Sequence, residues 1–158
     1  MDISFKSEIN KKILVLDTEK VEKIILNILS NAIKFTDTDG KIDINLYMEN
    51  EQVCISIKDT GIGIPKDKIE VIFENFEQID TTLSRGCEGT GMGLSVVKKL
   101  ANLNNININV ESELNKGSEF KIILPNNILS KNIKLQDKFT QNEKIEIEFS
   151  DIYLNLTS

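Results

Sequence analysis

The stretch DTGIGIP at residues 59–65 places a carboxylate, Asp59, beside two glycines at alternate positions. Counting by twos from Val53 along the preceding stretch directs Asp59 to the same face as the apolar side chains. A carboxylate aimed at the interior needs a donor, which is either its own turn backbone or a ligand amine. In the second case Gly61 and Gly63 would let a flat ligand such as adenine approach the backbone.

A second polar group follows one side of a predicted helix. At 100° per residue, Asn27, Asn31 and Lys34 fall within about 60° of one another, next to the apolar face. Two carboxamides and an ammonium offer oxygen ligands for a hard cation and a positive charge for a phosphate. Asparagines without function are also common at such a boundary, so the stripe alone leaves both interpretations open.

Glycines recur in GTGMGL, residues 89–94, before another predicted helix. Such a run exposes backbone N–H groups at the positive end of the helix dipole and favours a phosphate site, although a plain hinge is the alternative. The run is not a Walker A loop, because the lysine-containing pattern is absent. It is not a dinucleotide fingerprint either, because its spacing is G-x-G-x-G and a long loop precedes it.

Hydrophobic spacing predicts the elements that must position these stretches. The helices are a first one capped by Asp17 or Thr18 and ending near Phe35, a short one over 66–73, and one over 92–103. The strands are two short ones within 3–16, a hairpin of 41–48 and 52–58, and two closing strands at 106–112 and 118–125.

This mixture of helices and hairpins predicts an α+β fold. We expect a two-layer α/β sandwich, with a mixed, mostly antiparallel sheet covered on one face by about three helices. Residues 75–90 are expected to form a long loop. Residues 1–125 are predicted to be one domain. Residues 126–158 are predicted to be a linker and tail, in which 144–149 either adds a strand or belongs to a disordered segment.

The composition excludes several classes of protein. A formal net charge of −6 argues against nucleic acid or an anionic membrane as the main partner. No apolar run approaches the roughly 20 residues of a membrane span, and the N-terminus shows no signal-peptide pattern. The chain has no histidine, which excludes a histidine ligand or base within it, and its two cysteines indicate a reducing cytoplasmic setting.

Four stretches, in this order, resemble the ATP-site boxes of the sensor histidine kinase catalytic domain. They are NILSNAIKFT (27–36), DTGIGIP (59–65), IFENFEQID (72–80) and EGTGMGLSVVKKL (88–100). The resemblance covers about residues 13–125. It implies the Bergerat-type ATP-binding fold of the superfamily that contains DNA gyrase, MutL and the ninety-kilodalton heat-shock chaperones.

The resemblance also implies a role for individual residues. Asn31 would hold Mg²⁺, Asn27 would support the metal and phosphates, and Lys34 would contact phosphate. Asp59 would accept a hydrogen bond from the adenine amine, and Ser118 would lie near adenine. The ATP-contacting set implied in this way is Asn27, Asn31, Lys34, Phe35, Asp59, Gly61, Gly63, Ile64, Phe76, Gly89, Thr90, Gly91, Met92, Gly93, Leu94 and Ser118.

A mobile ATP lid over about 75–90 is implied as well. Phe73 and Phe76 would anchor its base, and the phosphates would be wrapped by Gly89, Gly91 and Gly93. Arg85, the only arginine of the chain, lies in this loop. The implied catalytic residues are Asn27, Lys34 and Arg85. The role of Arg85 requires that its guanidinium meets the γ-phosphate, and the alternative is a solvated loop charge.

Asn27 separates branches of the superfamily. Relatives that hydrolyse ATP have a glutamate four residues before the metal asparagine, and this glutamate serves as general base for water. A carboxamide cannot take a proton, so ATP would be kept for a better nucleophile.

The implied function is to bind Mg-ATP and to donate its γ-phosphoryl group to a histidine on a separate dimerisation domain. In two-component signalling that step indirectly serves a response regulator. The dimerisation domain would have to precede Met1, and this fragment is expected to be a cytoplasmic monomer. Two alternatives stay open, namely a non-catalytic nucleotide-binding signalling module and a serine kinase of the anti-sigma type.

Overall fold

The computed structural model describes residues 1–74 and 93–126, which contain one five-stranded sheet. The strands are β1 (Asp2–Ser7), β2 (Lys41–Glu49), β3 (Gln52–Asp59), β4 (Asn107–Glu113) and β5 (Gly117–Ile123). Their order across the sheet is β1-β2-β3-β5-β4. β1 is parallel to β2 and the other pairs are antiparallel, which confirms the predicted mixed, mostly antiparallel sheet.

Two α-helices form the second layer. They are α1 (Thr18–Phe35) and α2 (Gly93–Leu103). α1 contacts β3, α2 contacts β4, and the two helices contact each other. Asp17 caps α1 as predicted, because its carboxylate accepts the N–H of Lys20 at 3.2 Å. No helix within these described stretches is long and apolar enough to cross a lipid bilayer.

The period-two alternation of the strands decides which face of the sheet the helices cover. Along β2, Ile42, Ile44 and Leu46 point into one core that also contains Ile28 of α1 and Val97 of α2. The opposite face of the sheet is polar, and it carries the ion pair of Lys121 with Glu49 at 2.5 Å. The sheet therefore presents a single apolar face, and the helical layer covers it.

Tight turns join the antiparallel neighbours. Asn50 and Glu51 form the two-residue turn between β2 and β3, with φ of 48° and 65°, which confirms the predicted hairpin. The β4–β5 turn contains Asn115 with φ of 63°, and Gly117 begins β5 with φ of 102°. These left-handed conformations suit Asn and Gly, and they fix the register of each pair.

One predicted strand is wrong. Residues 12–16 were expected to form a second strand after β1, but only Ile13 makes an isolated bridge. β1 already occupies the available edge of β2, so the segment crosses to α1 without a ladder of its own. The alternation of Leu14 and Leu16 still buries both side chains in the core.

The predicted short helix after Pro65 is also not continuous. The segment forms two 3₁₀ turns, Lys66–Lys68 and Val71–Phe73, of which only the second buries a residue, Ile72. So few residues make a marginal α-helix, and a 3₁₀ turn suffices as a connector. The described chain thus has two α-helices where about three were expected. The predicted loop 75–90 and tail strand 144–149 lie outside the described residues.

Candidate functional site

Asp59 ends β3, and its side chain is buried with only 6% of its surface exposed. Its Oδ1 accepts two backbone N–H groups, from Gly61 at 2.8 Å and from Ser118 at 3.2 Å. No described residue donates to Oδ2. Among the described residues, the only side-chain N or O atom that is both fully buried and without a partner is the Thr36 hydroxyl oxygen. Asp59 Oδ2 has no partner but is not such an atom, so it keeps contact with solvent. One carboxylate oxygen is therefore held by the protein, and the other can meet a donor from a ligand.

The electrostatics of Asp59 follow from this position. Burial raises its pKa above the ordinary value of 3.8, and the hydrogen bonds from Gly61 and Ser118 oppose part of that shift. The two amides hold the charged form in place while desolvation disfavours it. A carboxylate that is disfavoured in its unbound state gains from a ligand donor at its second oxygen.

Gly61 and Gly63 seat the Asp59 loop (residues 59–65) against two other parts of the chain. A Cβ at Gly61 would overlap the carbonyl oxygen of Phe35 at the end of α1. A Cβ at Gly63 would overlap the carbonyl oxygen of Glu113 at the end of β4, and the φ of Gly63 is +68°. Close approach of a ligand at these glycines stays a prediction, and the structure shows that the protein's own backbone already approaches both closely.

Hydrogen bonds hold the Asp59 loop at both sides. The N–H of Ile62 donates to the carbonyl of Phe35 at 3.2 Å, and the carbonyl of Ile62 accepts from the N–H of Asn115 at 2.7 Å. The hydroxyl of Ser112 accepts the N–H of Ile64 at 2.7 Å. The loop is attached to α1 on one side and to the β4–β5 hairpin on the other, and these attachments decide where Asp59 points.

Sequence reasoning did not select Ser112 and Gly117, although both belong to this site. A Cβ at Gly117 would overlap the carbonyl oxygen of Asp59. Ser112 lies directly opposite Ser118 in the β4–β5 pair, and the two hydroxyl oxygens are 2.9 Å apart. The signal was present, because counting by twos along β4 from Val110 reaches Ser112, as the same count along β3 reaches Asp59.

The predicted polar stripe lies along one side of α1. Asn27, Asn31 and Lys34 are all half-buried. The side-chain amide of Asn27 donates to the carbonyl of Lys23 at 2.7 Å. Its Oδ1 lies 3.1 Å from where a Cβ of Gly93 would stand, so the structure brings the stripe to the N-terminus of α2.

The other end of the stripe meets the Asp59 loop. Lys34 Nζ lies 5.0 Å from the ring centroid of Phe35, whose carbonyl holds Ile62. Because a helix rises 1.5 Å per residue, Asn31 and Asn27 lie about 6 Å and about 12 Å farther along α1 from Phe35. The candidate site is therefore elongated, from the buried carboxylate along α1 to the start of α2.

The remaining predicted residues fall into two groups. Ile64 and Leu94 are half-buried and pack against the core, Leu94 immediately after Gly93 at the start of α2. The others lie outside the described residues: Phe76, Arg85, Gly89, Thr90, Gly91 and Met92.

Carboxamide oxygens are the candidate metal ligands. No group of three or more Asp, Glu, His or Cys in the described stretches could hold a metal ion by itself. Mg²⁺ is usually held by one or two protein oxygens together with substrate phosphates and water. Asn31, with Asn27 one turn away, fits a metal that arrives with a phosphate ligand.

Comparison with known proteins shows which family the chain resembles. A family model described as "Histidine kinase-, DNA gyrase B-, and HSP90-like ATPase" matches residues 16–128. The circadian input-output histidine kinase CikA of Synechococcus elongatus is 36% identical over 113 residues. The signal transduction histidine-protein kinase ArlS of Staphylococcus aureus is 37% identical over 124 residues. These alignments cover 72% and 77% of this chain but only 15% and 28% of the two relatives.

Solved structures share the architecture. The mycobacterial sensor histidine kinase MprB has a TM-score of 0.67 at 25% identity, over 79% of this chain and 84% of that one. The catalytic domain of histidine kinase ThkA has a TM-score of 0.68 at 26% identity, over 80% and 81%. Full-length ShkA in complex with AMPPNP has a TM-score of 0.66 at 30% identity, over 78% and 25%. These likenesses confirm the α/β sandwich, and with the family match they show that the chain belongs to the family of histidine kinase-, DNA gyrase B- and HSP90-like ATPases.

Proposed function

We propose that this chain is the ATP-binding catalytic domain of a sensor histidine kinase, formed by residues 1–125. The observation that carries the proposal is the buried Asp59 carboxylate, with Oδ1 held by two amides and Oδ2 reachable by a donor. Adenine presents an exocyclic amine, a donor, where guanine presents a carbonyl oxygen. A carboxylate whose second oxygen is open can therefore accept a hydrogen bond from the adenine amine.

The polar stripe of α1 would receive the phosphates. Asn31 would hold Mg²⁺, Asn27 would support it, and Lys34 would contact phosphate. Bound Mg²⁺ would neutralise negative charge on the phosphate oxygens. Gly93 lies at the positive end of the α2 dipole beside Asn27, where backbone N–H groups favour an anion.

Other roles rest on the family resemblance. Phe35, Gly61, Gly63, Ile64, Leu94 and Ser118 would complete the nucleotide pocket within the described chain. Phe76, Arg85, Gly89, Thr90, Gly91 and Met92 would supply the lid. In this assignment Arg85 would meet the γ-phosphate.

The proposed reaction transfers the γ-phosphoryl group to the imidazole of a histidine on a dimerisation domain. A nitrogen–phosphorus bond forms as the bond from the γ-phosphorus to its bridging oxygen breaks, and ADP leaves. The acceptor lies outside this chain, because the chain has no histidine. The carboxamide of Asn27 gives water no general base, so hydrolysis should be slow.

The names of the curated relatives support a place in two-component signalling. We infer that the parent protein carries the dimerisation domain and serves a response regulator. This part of the parent would lie in the cytoplasm and would be monomeric in isolation. Residues 126–158 would be a linker and tail.

Two measurements test the proposal together. Calorimetry should show that the chain binds ATP and ADP more tightly with Mg²⁺ than without it. Incubation with γ-labelled ATP should leave the chain unlabelled and release little phosphate. The parent's dimerisation domain, added in trans, should become labelled on histidine, though weakly because the tether that raises effective concentration is missing.

The alternatives give different outcomes in the same experiment. Acid-stable label on a serine of a partner would indicate the anti-sigma type of kinase. Nucleotide binding without any transfer would indicate a non-catalytic module. Failure to bind ATP at all would refute the proposal.

A further inference from the structure

We propose that Ser112, on β4, is a positioning residue for the adenine end of the site. Its hydroxyl joins the Asp59 loop to the β4–β5 hairpin, although the two segments are about 50 residues apart in sequence. This inference rests on the proposed ATP-binding function, and it assigns to Ser112 no contact with the nucleotide.

The Ser112 hydroxyl has three polar neighbours. Its oxygen lies 2.7 Å from the N–H of Ile64, 2.9 Å from the carbonyl oxygen of Gly117 and 2.9 Å from the hydroxyl oxygen of Ser118. A hydroxyl has one donor and two acceptor sites. Donation to Gly117 and acceptance from Ile64 and Ser118 use all three, so the group is fully satisfied by the protein.

Two branches run from this hydroxyl to Asp59. In the first, Ser112 holds the start of β5, where the N–H of Ser118 donates to Asp59 Oδ1 and Gly117 lies against the Asp59 carbonyl. In the second, it holds Ile64 near the far end of the Asp59 loop. Loss of the hydroxyl would loosen both the donor that orients the carboxylate and the loop that follows it.

The placement of Ser112 distinguishes it from an ordinary strand serine. On the core face of β5, the buried Ser118 precedes the buried Phe120 by two residues, and on the antiparallel strand β3 the buried Asp59 follows the buried Ile57 by two residues. Ser112 is the corresponding change on β4, in register with Ser118. On three adjacent strands the core-facing side chains therefore change from apolar to polar at one edge of the core, and the candidate site begins at that edge.

The test compares Ser112→Ala with a matched variant, Ser56→Ala. Ser56 is a strand serine that is 2% exposed and lies on the opposite face of the sheet, where its hydroxyl faces Asn45. Calorimetry with ADP should show about tenfold weaker binding for Ser112→Ala, the scale of one lost hydrogen bond between partly buried groups, and unchanged binding for Ser56→Ala. Ser112→Thr keeps the hydroxyl and should restore most of the affinity.

A second readout separates positioning from general loosening of the fold. The factor by which Mg²⁺ strengthens ADP binding should be the same in Ser112→Ala and wild type, because the α1 stripe is intact. Amide hydrogen exchange, measured by NMR without nucleotide, should accelerate at Ile64 in Ser112→Ala and stay unchanged there in Ser56→Ala. If Ser112→Ala does not fold, Ser112→Cys replaces it, since a thiol is similar in size and a weak acceptor.

Several results would overturn the inference. These are unchanged ADP affinity in folded Ser112→Ala, an equal loss in Ser56→Ala, or a changed Mg²⁺ factor. If the wild-type chain binds no ATP or ADP, the proposed function fails instead. The exchange rate at Ile64 then decides separately whether the Ser112 hydroxyl holds the loop.

Discussion

The two ends of the proposed nucleotide site are built differently. The base end consists of the Asp59 loop and the β4–β5 hairpin, and backbone hydrogen bonds and glycine contacts hold it on both sides. The phosphate end consists of Asn27, Asn31 and Lys34 on α1 together with Gly93 at the start of α2. Its groups are half-buried side chains on a helix surface, and Asn27 donates to a carbonyl of its own helix.

This difference matches what each end would have to recognise in the proposed function. A base is recognised through the direction of a few hydrogen bonds, so its partner must be held in one orientation before binding. A phosphate with its metal ion is recognised mainly through charge, which depends less steeply on angle. We therefore expect substitutions that displace the backbone of the base end to disturb both the fold and the affinity, and those at the phosphate end to disturb affinity with little effect on the fold.

The largest expected difference between the two ends is the change in stability when one methyl group is added at each. Gly63→Ala introduces a Cβ that overlaps the carbonyl of Glu113, at a φ of +68°, and should lower the free energy of unfolding by about 2–5 kcal/mol. Among the described residues, a Cβ at Gly93 meets only the side chain of Asn27, so Gly93→Ala should change stability by less than about 0.5 kcal/mol. Urea unfolding measures both, and similar losses in the two variants would remove the contrast between the ends.

The next effect concerns the free oxygen of Asp59. Asp59→Asn can keep an oxygen toward the amides of Gly61 and Ser118, but it replaces the carboxylate Oδ2 with an NH₂ group that cannot accept from adenine. ADP affinity should fall by about 1–3 kcal/mol, while the fold is retained. Calorimetry and thermal unfolding of the same sample separate the two quantities. Wild-type affinity in this variant would show that Asp59 does not receive the base.

Substitution at the phosphate end should give a loss that depends on the metal. Asn31→Ala removes a candidate oxygen ligand and should weaken ADP binding about tenfold in Mg²⁺, but hardly at all in EDTA. Asn104→Ala is the matched control, since Asn104 lies beyond the end of α2 and its amide donates to the carbonyl of Leu100. An equal loss with and without Mg²⁺ would contradict a metal role for Asn31.

The smallest effect is a dependence of stability on pH. Burial raises the pKa of Asp59 in the folded state above 3.8, so the stabilisation from its protonated form is present below that value. It is lost as the pH rises through the folded-state pKa. Relative to Asp59→Asn, wild type should therefore become less stable over this window, as urea unfolding at several pH values would show.

Asp17 provides the opposite sign as a control for that measurement. Its side-chain hydrogen bond to Lys20 lowers the pKa of Asp17 in the folded state. The stabilisation that the charged Asp17 contributes to the folded state is therefore present above pH 3.8, and it is lost as the pH falls through the folded-state pKa. Asp17→Asn keeps a capping side chain, and wild type should lose stability relative to it on acidification. Slopes of the same sign for Asp59 and Asp17 would contradict the assignment of burial as the cause at Asp59.

The sequence by itself determined the elements whose periodicity is local. The spacing of apolar residues gave α1, α2 and the β2–β3 hairpin within one or two residues of their observed bounds. The alternation of β3 placed Asp59 on the core face, where it is buried. These features depend on residues a few positions apart, so a short pattern is sufficient to specify them.

Tertiary structure alone decided which distant segments complete the site. The residues next to Asp59 in sequence do not indicate that the N–H of Ser118 donates to it. They also do not indicate that Ser112 and Gly117 contact the loop that follows it. The same holds for residues 12–16, whose alternation looks like a strand but whose place beside β2 is taken by β1. Strand order and contacts across the sheet depend on competition between segments far apart in the chain, and no local pattern records the outcome of that competition.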